Sequence, residues 1–333
     1  MTIADEINRL SGAKAAIKQS IVNKGVDVSD EALLNEYPAL IDMIGASSDP
    51  DINYENPDFY ELLTKNGTDY SYLFTYKTID DPSFIESLDT SKVTDMSYAF
   101  QHFKSSSELN LSGWDVSNIK SDKMGGMFSY SNILELDVSG WSFSNTFTSL
   151  VNVFTSFRGK NIYGLNTWDV SNVKYFGQLF QECLNLVEID ISGWDTSNGI
   201  SFQSSIFPMI YGCSNLERVI GVIDMSNNNG PLQYSASYAL TKGCKKLKEL
   251  RLVNIYKNTP VKNEAGYSLY LEDTQIEDQY LIEIINELPD LINDKGLTDT
   301  SNLIIKLPPT NTLTQEQVQV AVNKGWQVAN TTY

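Results

Sequence analysis

Residues 109–119 read Leu-Asn-Leu-Ser-Gly-Trp-Asp-Val-Ser-Asn-Ile, and residues 186–198 read Leu-Val-Glu-Ile-Asp-Ile-Ser-Gly-Trp-Asp-Thr-Ser-Asn. Both run from an alternating apolar segment, through a Gly-Trp-Asp corner, to a Ser-Asn pair. Two more copies lie between them, Leu134-Glu-Leu-Asp-Val-Ser-Gly-Trp141 and Leu165-Asn-Thr-Trp-Asp-Val-Ser-Asn172. Trp114, Trp141, Trp168 and Trp194 therefore stand 27, 27 and 26 residues apart. A fixed period of this length marks a solenoid, in which each coil buries its apolar side against its neighbours.

Other columns keep the phase. Ser-Asn recurs at 117–118, 144–145, 171–172, 197–198 and 226–227, and Leu88-Asp-Thr-Ser-Lys92 opens the series one period earlier. Cys183, Cys213 and Cys244 each lie three residues before a repeat-opening leucine (Leu186, Leu216, Leu247), a place that Ser131 holds before Leu134. After Trp194 the copies lengthen and lose their tryptophan. The alternation in Glu188-Ile-Asp-Ile-Ser192 predicts a short strand with Ile189 and Ile191 inward and Glu188 and Asp190 outward, stacked in parallel from coil to coil. Gly113, Gly140 and Gly193 are expected to free the following turn. Segments such as 93–100 and 175–180, rich in Met, Phe and Tyr, are expected to form the opposing wall as a short helical turn.

The in-phase tryptophans, the SGWD and SN turns and the Cys-x-x-Leu approach resemble the BspA-type leucine-rich repeat, common in bacterial surface proteins and their phages. The resemblance covers about half the chain. It implies an irregular leucine-rich-repeat solenoid of the α/β kind and, by analogy, binding to proteins or surfaces.

The flanks carry different patterns. Ile3, Ile7, Leu10, Ile17 and Ile21 recur at helical spacing up to Gly25, and Ser29 caps a second amphipathic stretch with Leu33, Leu34, Tyr37, Leu40, Ile41 and Ile44. These helices are too short for a self-sufficient coiled coil, so they cap the array, dock on a partner or on each other, or meet in a homo-oligomer such as a trimer. The run INRLSGAKAAIKQSIVNKGV, with its second helix ending in IDMI, is similar to N-terminal segments of virion proteins from tailed gut phages, including crAss-like phages. That similarity implies attachment to a capsid or tail. Polar residues 46–58, with two prolines, read as a linker. Toward the C-terminus, 277–292 reads as a helix, 303–307 as a strand, 314–324 as a helix and 326–329 as a strand. This forms a cap similar to those that close BspA-type arrays. The expected organisation is a helical anchor at 1–48, a linker and N-terminal cap at 49–86, the solenoid at 87–256 and a small α/β cap at 257–333.

Composition bounds the function. The 333 residues carry 42 acids against 24 bases, a net charge of −18, which argues against nucleic acid because phosphate binding needs clustered Lys and Arg. The one dense basic run, Lys245, Lys246, Lys248 and Arg251, reads as a solvated edge. No apolar stretch is long enough to span a membrane, and no signal peptide is recognised. Three cysteines cannot build a disulfide framework; their phase makes them either a core ladder or a soft-metal site, and the absence of C-x2-C pairs favours the ladder. Asp89, Asp115, Asp169, Asp195 and Asp224 share a phase that suits a cation, but Asp at turns more often bonds its own backbone. Every histidine-dependent scheme must use His102, expected in a turn. No carboxylate pair stands out, and Gly125-Gly126 belongs to no phosphate loop. No catalytic, cofactor or metal residue is therefore assigned, and the chain is expected not to be an enzyme. Tyr72, Tyr76, Tyr98, Tyr130, Tyr163 and Tyr175 are candidates for stacking on sugars.

These readings converge on a virion structural protein. It would be a head or tail fibre or decoration subunit, held to other virion proteins through residues 1–48 and presenting its solenoid to a host-surface protein or glycan. A bacterial surface adhesin is the alternative, and a glycan-acting depolymerase the second.

Overall fold

A segment of two or three alternating residues is too short to hold a sheet by itself, and the chain solves this by stacking such segments in register. The computed structural model describes residues 67–204, 207–229, 239–264 and 267–330, which fall in one unit. The expected N-terminal helices, with Ile3, Ile7, Leu10, Ile17 and Ile21, lie outside the described residues.

The solenoid strands are β1 (Lys104–Ser105), β2 (Leu109–Asn110), β3 (Asn132–Ile133), β4 (Glu135–Asp137), β5 (Asn161–Tyr163), β6 (Glu188–Asp190), β7 (Gln203–Ser204), β8 (Phe207–Pro208), β9 (Arg218–Ile220), β10 (Ile223–Asp224) and β11 (Leu252–Val253). Strands of successive coils pair in parallel. Leu109 faces Leu136, which faces Ile162, and Ile189 faces Val219. The antiparallel hairpin β7–β8 is the exception. Ile189 and Ile191 are buried, as the alternation requires. After the strand, Gly140 takes φ +74°, and a Cβ on Gly193 would fall 2.0 Å from the Asn166 carbonyl oxygen; Gly113 meets neither demand.

Tryptophan closes each corner by two means. Trp141 and Trp168 stack at 5.5 Å and Trp168 and Trp194 at 6.1 Å. Each indole N–H also donates to a carbonyl of the preceding coil: Trp114 to Ile85 (3.1 Å), Trp141 to Leu111 (2.8 Å), Trp168 to Val138 (2.9 Å) and Trp194 to Leu165 (2.6 Å). The polar end of each ring is thus satisfied inside the core.

The opposing wall departs from expectation. It is not helical, and the array as a whole is a parallel β-solenoid rather than an α/β one. Within it the one α-helix among the described residues is α1 (Ser83–Glu86), with a single 3-10 turn at Leu165–Thr167. The wall is a ribbon of overlapping turns. In its first rung, Tyr70, Tyr72, Phe74 and Tyr76 donate their N–H groups across to Asp95, Ser97, Ala99 and Gln101, while Leu73, Thr75 and Lys77 donate back three residues within the coil. Alternate residues thus serve the neighbour and the local turn, which leaves no donors for a helix. Tyr72 and Tyr76 sit third in their turns at φ 60°, the left-handed conformation that a type II turn demands there. The ribbon already runs through residues 70–77, so coil geometry starts ahead of residue 87.

Inside this wall lies a ladder of phenylalanines. Phe74, Phe100, Phe128, Phe154 and Phe180 stack at 5.0, 5.2, 5.4 and 5.5 Å along the axis. Three residues further on runs the column of Phe103, Ser131, Phe157, Cys183, Cys213 and Cys244, all buried. The three thiols donate to carbonyls of the preceding coil, Cys183 to Phe154 (3.1 Å), Cys213 to Phe180 (2.8 Å) and Cys244 to Ile210 (2.9 Å).

The C-terminal part alternates β12 (Leu269–Tyr270), α2 (Asp278–Glu287), β13 (Ile304–Lys306), α3 (Gln315–Asn323) and β14 (Gln327–Ala329), with the three strands parallel in that order. Thr314 and Gln317 form a capping box on α3. The Lys324 ammonium donates to the carbonyls of Ile285 (3.3 Å), Asn286 (2.6 Å) and Leu288 (2.8 Å), completing the end of α2. The fifth tryptophan repeats the rule: Trp326 is buried, and its N–H reaches back to the Pro289 carbonyl (3.0 Å).

Candidate interaction face

Because the ribbon alternates, its left-handed positions fall in two columns, whose rings reach solvent in the first coils while Ser156 further along is buried. One holds Tyr72, Tyr98, Gly126, Asn152 and Gln178; the other holds Tyr76, His102, Tyr130, Ser156 and Glu182. In the first coils both columns are aromatic. Tyr72 stacks on Tyr98 at 5.0 Å, while Tyr76, His102 and Tyr130 form a pile at 4.5 and 4.8 Å with their planes within 8°. Tyr98 in turn lies over Gly126, where any Cβ would fall 2.3 Å from its ring. The rings are far from covered: Tyr72 is 54%, Tyr76 65% and Tyr130 46% exposed.

The arrangement carries a backbone cost. An L-residue other than Gly pays about 1–2 kcal/mol for the left-handed region, with Asn and Asp tolerating it better. Five aromatic residues there cost on the order of 5–10 kcal/mol. Three stacked pairs return roughly 0.5–1.5 kcal/mol each. Later coils hold Asn152, Gly212 and Gly243 at such positions but also Ser156, Gln178, Glu182 and Tyr256, so the backbone cost is shared along the ribbon and the exposed stacked rings are what is particular to the first coils.

The face is electrically plain along its centre and charged at its margins. Burial, reinforced by Lys104, lowers the His102 pKa, so the imidazole is neutral at neutral pH. Burial, with Tyr98 and Asp95 adding to it, raises the Tyr72 phenol. Asp95 pairs with Lys123 at 3.2 Å beside one column. Because ring faces are turned to one another, the columns offer ring edges and phenolic hydroxyls outward rather than flat platforms.

The other sequence candidates fall elsewhere. Tyr163 is on β5, and Tyr175 bridges Ser149 and Ser201 outside both columns. Asp89, Asp115, Asp169, Asp195 and Asp224 each accept from the N–H two residues on, at 2.8–3.0 Å, closing the turn. Full burial raises the Cys213 thiol well above its usual range; at Cys244 the hydrogen bond with Cys213, then burial, does the same. These sulfurs are protonated core donors, not thiolates. Among the described residues no group of three or more His, Cys, Asp or Glu is placed to hold a metal, and no helix is long and apolar enough to cross a membrane. In the basic run, Lys248 pairs with Glu217 (3.0 Å), Lys246 bonds Asn215 (2.8 Å) and Arg251 grips Glu283. Sequence reasoning missed His102 as a member of the face. The signal was available, since His102 follows Tyr76 by 26 residues and precedes Tyr130 by 28, in step with Phe74, Phe100 and Phe128.

Stacked parallel coils with buried ring ladders define a β-solenoid repeat protein. Residues 50–162 and 146–230 match the family described as Mycoplasma protein of unknown function, DUF285; together these segments span more than half of the chain, which belongs to this family. The two matches overlap, as alignment of one repeat pattern to an extended array would produce. No curated protein and no solved structure matches the chain.

Proposed function

We propose that this chain is a non-catalytic attachment protein, an irregular leucine-rich-repeat solenoid that uses the face of Tyr72, Tyr76, Tyr98, His102 and Tyr130 to dock on a host surface. The observation that carries the reading is the exposed aromatic pile held on left-handed backbone. Tyrosines locked by stacking have lost their rotamer freedom before any partner arrives, which suits recognition. The similarity of residues 7–26 to virion proteins favours display on a phage head or tail, with residues 1–48 as the fastening. Membership in the DUF285 family favours the second reading, an adhesin on a bacterial cell.

One experiment serves both. Particles or cells that carry the chain with Tyr72→Asn, Tyr76→Asn and Tyr130→Asn should adsorb to their host at least about tenfold less well. Unchanged adsorption contradicts the face. Peptide sequencing of purified virions separates the two settings: incorporation of the intact chain, lost on deletion of residues 1–48, is the virion outcome, and recovery by protease shaving of whole cells is the adhesin outcome.

A further inference from the structure

From the buried cysteine column we infer that Cys213 and Cys244 form a modification site, closing into a disulfide when the chain meets a small oxidised disulfide, while Cys183 stays a thiol. The column runs along the axis in the later coils, and all three sulfurs are buried. Their coils are in register: Glu182 donates its N–H to Tyr211 (2.7 Å) and Gly212 to Lys242 (2.8 Å), which sets each cysteine beside the next. The Cys213 sulfur is hydrogen-bonded to the sulfurs on both sides. Rings three positions earlier in the same wall stack at 5.0 to 5.5 Å from coil to coil. A disulfide spans a Cα separation of about 4.4–6.8 Å, so neighbouring coils stand at a bridging distance.

Two neighbours compete for Cys213, and the backbone decides between them. Gly212 and Gly243 precede Cys213 and Cys244, at φ +78° and +82°, and a Cβ on Gly243 would fall 3.1 Å from the Gly212 Cα. The two coils thus approach closely beside this pair, and a glycine on each lets the backbone adjust as the sulfurs draw together to the length of a bond. Next to Cys183 the same place is held by Glu182, whose side chain occupies the gap: a Cβ on Gly212 would meet its Cγ at 3.0 Å. Cys183 and Cys244 lie a full coil apart and cannot meet. Closing the bond costs the two S–H donors to Phe180 and Ile210, which are weak ones, and the Phe180 carbonyl keeps the Cys183 N–H (3.4 Å).

The oxidant is a small disulfide, R–S–S–R. One cysteine, as thiolate, attacks it, releases the first R–SH and carries the other half as a mixed disulfide; the second cysteine then displaces the second R–SH. Two electrons and two protons pass from the protein, and two thiols leave for each S–S bond made. In the folded coils both sulfurs are buried and protonated, so exchange takes place while a coil is transiently open. A reducing cytosol keeps the column as thiols, and an oxidising exterior closes it. The bond falls where the phenylalanine ladder has ended, Phe180 being followed by Ile210 in that column, and it links residues 31 apart in the chain. This inference is independent of the aromatic face.

Thiol counting on the full chain tests this. The folded protein is incubated with oxidised and reduced glutathione in urea just below its unfolding transition, and its thiols are then counted under denaturing conditions. One of the three should remain, and unreduced peptide maps should join the segments that hold Cys213 and Cys244. A Cys213→Ser variant should keep both of its thiols, and a Cys183→Ser variant should keep none. Serine suits the column, which already holds buried Ser131, and circular dichroism matching the wild type shows that each variant is folded. The linked chain should unfold at higher urea than the reduced one. Three remaining thiols, glutathione retained on the protein, a link to Cys183 or a lower urea midpoint overturns the proposal.

Discussion

The coils up to Trp194 and the coils after it share one backbone solution but are joined differently. In the first set, rings do the joining: Trp141, Trp168 and Trp194 at one corner, Phe74 to Phe180 along the wall, tyrosines outside. In the second, aliphatic and cysteine columns fill the core, and charges cross on the surface, Arg218 to Glu188 and Lys248 to Glu217 between coils and Arg251 to Glu283 from a coil to α2. Rings that stack at the coil spacing contribute burial and contact together. Exposed ion pairs contribute a fraction of that and are screened by salt. This solenoid tolerates loss of consensus because the strand and ribbon hydrogen bonds carry the repeat, while side-chain columns are exchangeable.

The largest effect is expected of Trp168→Ala. It removes the central ring of the tryptophan stack and leaves the Val138 carbonyl without its buried donor, so unfolding in urea should show a loss of about 3–5 kcal/mol. A loss below about 1 kcal/mol would mean that the stack is incidental.

That column was the most legible feature, because tryptophan is rare enough for its period to stand out at sight. The phenylalanine ladder has nearly the same period, 26 or 28 residues between members, but it sits among other apolar residues and nothing marks its phase. The helical turn expected for the wall was wrong for a related reason. Left-handed backbone is readable when glycine occupies it, and here Tyr72, Tyr76, Tyr98, His102 and Tyr130 do. Candidate tyrosines were therefore legible one by one, but the face they form was not. Tyr163 and Tyr175 are no less aromatic, and only the register of the coils sets them apart.

In the later coils the expected effect is smaller. Arg251 holds Glu283 through two contacts, 2.8 and 2.9 Å, and this hydrogen-bonded pairing lowers the Glu283 pKa. A carboxyl depressed by folding stabilises above its unfolded pKa, and the stability is lost as pH falls through the folded value. Since both side chains are nearly half exposed, Arg251→Ala should cost at most about 1 kcal/mol at neutral pH, less in high salt, and nothing in strong acid. Urea titrations across pH and salt would check this; a cost that salt leaves unchanged would place the pair among the structural contacts, with the rings.

If the exposed aromatic face serves recognition, as proposed, its removal should spare the stability of the fold. Equilibrium urea unfolding of the full chain carrying Tyr72→Asn, Tyr76→Asn and Tyr130→Asn tests it, since Asn152 already occupies an equivalent left-handed position. Relief of the backbone should balance the lost stacking, leaving stability within about 1 kcal/mol of wild type. A loss beyond about 3 kcal/mol would make the pile a structural element and contradict the account.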